Sequence, residues 1–192
     1  MTAPDHQDPP GAGLFVLVAG WPGSGKSTLA AALAPRLGLP LLAKDEIKEA
    51  LMDALGRPAT VAGSQRLGRA AVLTLLQVAR RCPGAVMDST WFGYALPFAR
   101  ALPGRLVEVH CTVPLAMARA RYQARAGHRH AGHLDDLRGD QELWGEPPPS
   151  PGLGPVIQVD TSGEVDLSQL IEKLDQVRRG DVDVDVTRSG RG

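Results

Sequence analysis

The octapeptide GWPGSGKS, residues 20–27, constrains the fold of this chain more than any other stretch. It follows the pattern G-x-x-x-x-G-K-[ST], with Gly20, Gly25, Lys26 and Ser27 at the fixed positions. The apolar run LFVLVA precedes it, and an alanine-rich stretch follows it. The pattern therefore predicts a buried strand, a phosphate-binding loop and a helix, in that order.

The loop predicts a site for a nucleoside triphosphate. Its glycines let backbone N–H groups converge on phosphate oxygens, and the following helix adds the positive end of its dipole. We expect Lys26 to reach the β- and γ-phosphates and Ser27 to supply a hydroxyl ligand to Mg²⁺. The predicted nucleotide-contacting residues of this loop are Gly20, Pro22, Gly23, Ser24, Gly25, Lys26, Ser27 and Thr28.

Beyond the loop, short apolar runs alternate with longer helical patterns. Strands are predicted at 14–19, 39–43, 85–88, 105–111 and 156–160. Helices are predicted at 26–37, 45–55, 63–81, 94–102, from Pro114 onward, and at 167–179. Such alternation is typical of a parallel sheet covered by helices on both faces.

Length and composition limit the other possibilities. The 192 residues suffice for one α/β domain, which we place at 13–179, between a disordered leader at 1–12 and a flexible tail at 180–192. Basic and acidic residues number 21 each, so no overall field draws the chain to nucleic acid or to a membrane. Two cysteines, no secretory pattern and no apolar run of about 20 residues predict a cytoplasmic protein. Nothing in the sequence predicts the oligomeric state.

Two aspartates follow predicted strands. Asp88 ends the strand AVMD, where it can face the phosphates and hold Mg²⁺, although a strand-end aspartate can also bond only to loop amides. Ser89 and Thr90 follow it in place of a glutamate that would orient water, which favours transfer over hydrolysis.

Asp45 follows the second strand on the same sheet edge and is predicted to be the general base toward an alcohol. Asp45 also suits the N-cap of the next helix, and the two roles can coexist.

Residues 119–133, RARYQARAGHRHAGH, carry four arginines and three histidines without an acid. Arg121, Arg125 and Arg129 are four apart, which predicts one helix face that clamps a transferring phosphoryl group, unless they form a solvated face. We expect a lid at about 119–152, with Gly127 as its hinge.

Other side chains in and near this segment have two interpretations each. The histidines lack cysteines or carboxylates at metal-ligand spacing, so a phosphate- or substrate-facing role is favoured over zinc; they are His128, His130 and His133. The aromatic residues either form an acceptor pocket or pack in the core; they are Trp91, Phe92, Tyr94 and Trp144.

Taken together, GWPGSGKSTLA, AKDEIKEAL, VMDST and RYQARAGHRHAGH resemble the small P-loop kinases grouped as AAA-like ATPases, near zeta toxins, chloramphenicol phosphotransferase and the kinase domain of polynucleotide kinase. The likeness spans about residues 14–178. It implies a three-layer α/β P-loop NTPase fold with a five-stranded parallel sheet of nucleoside-kinase type and a small lid. It also implies ATP, Mg²⁺ and phosphorylation of a hydroxyl.

The resemblance also implies roles for individual residues. Asp45 matches the general base, and Asp88 matches the aspartate near metal and acceptor. Arg121 and Arg125 match lid arginines on the phosphates, and the stretch Thr161, Ser162 and Gly163 matches the loop beside the adenine. Relatives often show R-H-P-G-H where this chain has RHAGH, so Ala131 departs from the pattern at a position that affects the stiffness of the lid.

The sequence therefore favours an ATP-dependent phosphotransferase that acts on the hydroxyl of a small molecule. Its predicted catalytic residues are Lys26, Asp45, Arg121 and Arg125. A kinase of polynucleotide 5′-hydroxyls is disfavoured by the neutral charge and the few aromatic residues. An ATP-binding switch or ATPase without efficient transfer and a toxin-like kinase of nucleotide sugars stay open. No pattern within 127–154 predicts the acceptor.

Overall fold

The computed structural model describes residues 13–125, 130–134, 139–145 and 150–181. The predicted leader, the tail beyond residue 181, Gly127, His128 and Arg129 lie outside the described residues.

A parallel five-stranded sheet forms the centre of the molecule. Its strands are β1 (Gly13–Gly20), β2 (Leu41–Ala43), β3 (Ala85–Asp88), β4 (Gly104–Thr112) and β5 (Val156–Asp160). They lie side by side in the order β2-β3-β1-β4-β5, and all neighbours run parallel. The predicted α/β class with five parallel strands is confirmed.

Helices cover both faces of this sheet. They are α1 (Lys26–Leu37), α2 (Lys44–Leu55), α3 (Val61–Ala79), α4 (Leu96–Arg100), α5 (Leu115–Arg125), α6 (Asp140–Trp144) and α7 (Leu167–Arg179). Alternate residues of β1 face opposite layers: Leu14, Val16 and Val18 pack with α1 and α7, while Phe15 and Leu17 pack with α3 and α4. The run at 14–19 is continuously apolar because both of its faces are buried.

Several boundaries differ from the prediction. Helix α2 begins at Lys44 with Ala43 at its N-cap, so the N-cap role predicted for Asp45 is wrong and Asp45 lies in the first turn. Helix α3 begins earlier than expected, where Thr60 Oγ1 accepts from the Gly63 amide at 3.1 Å. A 3₁₀ turn at Gly93–Ala95 precedes α4, and the short α6 lies in a stretch without a predicted helix.

In the described part of the chain, no helix combines the length and the apolar character that crossing a bilayer requires.

Candidate active site

The phosphate-binding loop joins β1 to α1 through glycines in the left-handed region. Gly23 has φ 76° and Gly25, the N-cap of α1, has φ 81°. A Cβ on Gly23 would overlap the carbonyl oxygen of Ala118 in α5. The loop is therefore a close-fitting backbone turn at the N-terminus of a helix, which is the geometry that binds phosphate.

Lys26 lies over this loop. Its Nζ donates to the carbonyl oxygens of Gly20 at 3.0 Å and Trp21 at 2.6 Å. Burial lowers the pKa of the Lys26 ammonium, and the negative charge of Asp88 acts to raise it. The ammonium is thus held at the loop, with a carboxylate close enough to affect its charge.

Ser27 and Asp88 form the second part of the site. The strand register places Asp88 beside Val18 of β1 and Ala43 of β2, and Ser27 lines the same cavity as Asp88. Burial raises the pKa of the Asp88 carboxyl, while the hydrogen bond from Ser27 and the charge of Lys26 act to lower it. A hydroxyl and a carboxylate are oxygen ligands suited to Mg²⁺, so these side chains fit the metal that the sequence predicts.

Asp45 lies across from the loop in the first turn of α2. Its side chain is 48% exposed, and its Oδ1 accepts from Lys44 Nζ at 2.7 Å. Asp45 lines a cavity of about 130 Å³ together with Lys26, Ser27, Asp88 and other residues. The predicted base, loop lysine and metal ligands therefore lie around one space.

A second cavity also borders the loop. Its volume is about 590 Å³, and its lining includes Gly25, Thr28, Leu29, Thr161 and Val165. Thr161 Oγ1 donates to the carbonyl oxygens of Ser24 at 2.7 Å and Thr112 at 3.0 Å. These bonds attach the segment after β5 to the phosphate-binding loop.

The structure separates the two described arginines of the predicted clamp. Arg125 lines both cavities. Arg121 is one of the described residues that line the larger cavity, and it is not one of those that line the smaller cavity. Arg121 donates from Nη1 to the Thr161 carbonyl at 2.9 Å and from Nη2 to the Ser162 carbonyl at 3.2 Å. Arg121 therefore bonds to the segment beside the larger cavity and is not among the described residues that line the Asp45 cavity.

The aromatic residues after β3 do not surround Asp45. Trp91 is buried in the core, where its indole N–H donates to the Val18 carbonyl at 3.2 Å. Phe92 is exposed and stacks with Tyr94 at 6.0 Å between ring centroids. None of these three lines the cavity that Asp45 lines, so their interpretation as an acceptor pocket is not supported by their positions.

Trp144 packs α6 against the phosphate-binding loop and α5. Its ring lies 5.9 Å from that of Trp21 and meets Tyr122 edge-on at 5.5 Å. The neighbouring Leu143 lines the Asp45 cavity together with Tyr122. Part of the predicted lid thus borders this cavity through residues that the sequence did not single out.

The described histidines of the predicted lid contact α2. His133 Nε2 lies 2.8 Å from Glu49 Oε1, and His130 Nε2 lies 3.2 Å from Asp53 Oδ1. His130 therefore faces a helix carboxylate and not a phosphate site. His133 also reaches the Asp45 cavity, as one of its lining residues.

Lys48 is a site residue that the sequence reasoning missed. It is buried, it lines the Asp45 cavity, and its Nζ donates to Ser64 Oγ at 2.7 Å. The same Nζ lies 3.5 Å from His133 Nδ1. The available signal was its spacing of three residues from Asp45, which places both on one face of a helix.

Comparison with known proteins identifies the family. A family model described as an AAA domain, AAA_33, matches residues 15–142, and the chain belongs to this family. Among curated proteins, none matches the sequence significantly.

Solved structures of P-loop kinases share the fold. A candidate kinase from Chloroflexus aurantiacus J-10-fl is 27% identical with a TM-score of 0.76, covering 86% of this chain and 98% of that one. APS kinase of Mycobacterium tuberculosis, solved with AMPPNP and APS, is 17% identical with a TM-score of 0.56, covering 88% and 98%. A gluconokinase from Sinorhizobium meliloti 1021 is 17% identical with a TM-score of 0.52, covering 88% and 95%. The predicted resemblance to P-loop kinases is confirmed.

Proposed function

We propose that this protein is a kinase that transfers the γ-phosphate of ATP to a hydroxyl group of a small molecule. The observation that carries the proposal is that the Asp45 carboxylate shares one cavity with Lys26, Ser27 and Asp88. A carboxylate in that position can accept the proton of an alcohol as the phosphoryl group arrives.

Each predicted residue has a place in this proposal. The loop amides and Lys26 bind the triphosphate, and Ser27 with Asp88 would hold Mg²⁺, which neutralises phosphate charge when bound. Arg125 lines both cavities and is suited to bind phosphate oxygens between them. Arg129 lies outside the described residues, and its contact with the nucleotide stays a prediction.

The larger cavity suits the nucleoside part of ATP. It is bordered by the segment that Arg121 and Thr161 hold in place, which includes Ser162 and Gly163. Leu29 and Val165 supply apolar surface there for a base. Arg121 in this proposal acts on the nucleotide side, and its predicted part in transition-state stabilisation belongs more naturally to Arg125.

A transfer assay tests the proposal. The protein is incubated with Mg²⁺ and ATP labelled at the γ-phosphate, against hydroxylated metabolites, antibiotics, nucleosides, nucleotide sugars and oligonucleotides. We expect label on a small molecule and a loss of about 10²- to 10⁴-fold in kcat for Asp45→Asn. Asp53→Asn is the matched control, because Asp53 is on the same helix with a largely exposed side chain and does not line the cavity.

Two results would favour the alternatives. Label on oligonucleotides alone would indicate a polynucleotide kinase. Formation of ADP at the same rate with every acceptor, unchanged by Asp45→Asn, would indicate an ATPase or switch that needs no base.

A further inference from the structure

The smaller cavity carries more cationic than acidic side chains. Its described lining includes Lys26, Lys44, Lys48 and Arg125, against the carboxylates of Asp45 and Asp88. In the function proposed above, binding the triphosphate and metal uses Lys26, Arg125 and Asp88. Among the described lining residues, the ammonium groups of Lys44 and Lys48 and the carboxylate of Asp45 then remain, an arrangement that favours an anionic guest.

Lys48 is the residue placed to meet that guest. It follows Asp45 by three positions on α2, so the two side chains project from one face, with Cβ atoms about 5–6 Å apart. Lys44 bonds to Asp45 at 2.7 Å, whereas Lys48 lies deeper and lines the same cavity. The base and the buried ammonium thus stand about one helical turn apart.

The contacts of Lys48 fix the position of its Nζ. An ammonium can only donate, so Ser64 Oγ accepts from Lys48 and directs its own hydrogen toward the Gly132 carbonyl at 3.1 Å. For the same reason His133 presents an unprotonated Nδ1 to Lys48, and its Nε2–H donates to Glu49. Two elements besides α2 therefore hold the ammonium at the wall of the cavity.

Taking the kinase function above as given, we propose that the acceptor is a small hydroxylated anion whose carboxylate or phosphate group binds Lys48 while its hydroxyl faces Asp45. Charge-assisted hydrogen bonds are the strong ones, so an anionic oxygen is the partner that an ammonium prefers. The spacing of one helical turn selects acceptors in which the hydroxyl and the anionic group are a few bonds apart. His133 and Ser64 are positioning residues for Lys48.

The test compares matched acids and alcohols as acceptors of labelled phosphate. The probes are glycerate against glycerol, gluconate against glucitol, and glycerol 3-phosphate to separate a phosphate from a carboxylate. We expect at least one anion to be phosphorylated with a kcat/KM about 100-fold or more above that of its neutral partner.

Variants of Lys48 then locate the contact. Lys48→Gln should raise the KM for the anionic acceptor about 10- to 100-fold with kcat changed only a few-fold, and Lys48→Arg should recover part of the affinity. Lys173→Gln, an exposed lysine on α7, is the matched control and should behave as wild type. Ser64→Ala retains the lysine, removes its anchor and should raise KM less. Thermal unfolding of each variant shows whether it is folded.

The outcomes separate this inference from the function on which it rests. If the neutral alcohols are phosphorylated as well as the acids, or if Lys48→Gln leaves KM unchanged, the kinase stands and the anionic acceptor is wrong. If no probe in the acid, alcohol and general acceptor panels takes up label while ADP forms at one constant rate, both proposals fall.

Discussion

At the scale of single residues, Asp88 is a buried carboxyl whose charge opposes stability. Burial raises the pKa of its carboxyl above the ordinary value of an aspartate, so the folded chain holds the proton more tightly than the unfolded chain. The stabilisation that results is complete below the unfolded pKa and is lost as the pH rises through the folded pKa. At neutral pH the charged carboxylate therefore lowers the free energy of unfolding.

Asp88→Asn should accordingly raise Tm at pH 7 to 8 and abolish Mg²⁺-dependent nucleotide binding. For a chain of this length each kcal/mol corresponds to roughly 2–4 °C. The gain should shrink as the pH is lowered toward about 4, where aspartate becomes protonated in both states. Calorimetry across this pH range measures it, with Asp53→Asn as the exposed control. A lower Tm for Asp88→Asn at pH 7 would contradict the argument.

Thr161 makes a different contribution, because its hydroxyl connects the segment after β5 to the phosphate-binding loop. Thr161→Val removes the bonds to the Ser24 and Thr112 carbonyls at nearly constant volume. We expect the free energy of unfolding to fall by about 1–2 kcal/mol and the affinity for ATP to weaken. Urea unfolding and calorimetric titration with AMPPNP measure the two effects.

Thr112→Val is the matched control for that experiment. Thr112 Oγ1 donates to the Val159 carbonyl at 3.2 Å at the same sheet edge, without touching the loop. Its loss should cost similar stability and leave nucleotide affinity unchanged. Equal losses of affinity in both variants would show that the Thr161 bond is only structural.

At the scale of elements, the turn around residues 130–134 is attached to α2 and α3. Ser64 donates to the turn, His133 bonds Glu49, and the Gly132 amide donates to His130 Nδ1 at 3.1 Å. Met52 also lies against this turn, because a Cβ on Gly132 would meet its sulfur. The helix that carries Asp45 and the turn that borders its cavity therefore pack as a unit.

His133→Ala should loosen this unit, because it removes the contacts to Lys48 and Glu49 together. Hydrogen exchange of the His133 backbone amide, which donates to the His130 carbonyl, should become faster. His133→Asn supplies an acceptor in place of Nδ1 and His133→Gln a donor in place of Nε2, so the two variants separate the contacts. Asp53→Asn should have a smaller effect, because exposed ion pairs contribute little. Unchanged exchange in His133→Ala would show that the turn is held elsewhere.

The same elements show what the sequence could predict. The strands can be predicted because runs such as 14–19 are apolar on both faces. The loop can be predicted because its glycines adopt backbone conformations that other residues rarely adopt. The unit formed by α2 and the turn was not readable, since Lys48 and His133 lie 85 positions apart and no local pattern joins them. Helix α6 has five residues and is too short to show the helical spacing of apolar residues in its sequence. Arg121 had the expected spacing, but its direction depends on where the segment after β5 lies.

At the scale of the whole molecule, the order β2-β3-β1-β4-β5 places the site where the chain changes direction across the sheet. After β1 the chain forms β2 and β3 on one side of β1, and then β4 and β5 on the other side. In such sheets the binding crevice lies at the carboxyl ends of the strands where this change of side occurs. The lining of the larger cavity includes residues of α1 and of the segment after β5, and the lining of the smaller one includes residues of α2, β3 and the predicted lid segment. A nucleotide bound at the loop would contact elements from both halves of the chain.

Nucleotide binding should therefore stabilise the fold as a whole. At a concentration of about 100 times Kd, a ligand that binds only the folded state adds about 2.7 kcal/mol, which corresponds to roughly 5–11 °C in Tm at this chain length. Differential scanning fluorimetry with AMPPNP and Mg²⁺ measures this shift. EDTA should reduce the shift, because the proposed site at Ser27 and Asp88 then lacks Mg²⁺. Lys26→Ala should remove most of the shift while leaving the unliganded protein folded, because its side chain bonds only to the Gly20 and Trp21 carbonyls among the described residues. An equal shift in wild type and Lys26→Ala would mean that the nucleotide binds somewhere other than the loop.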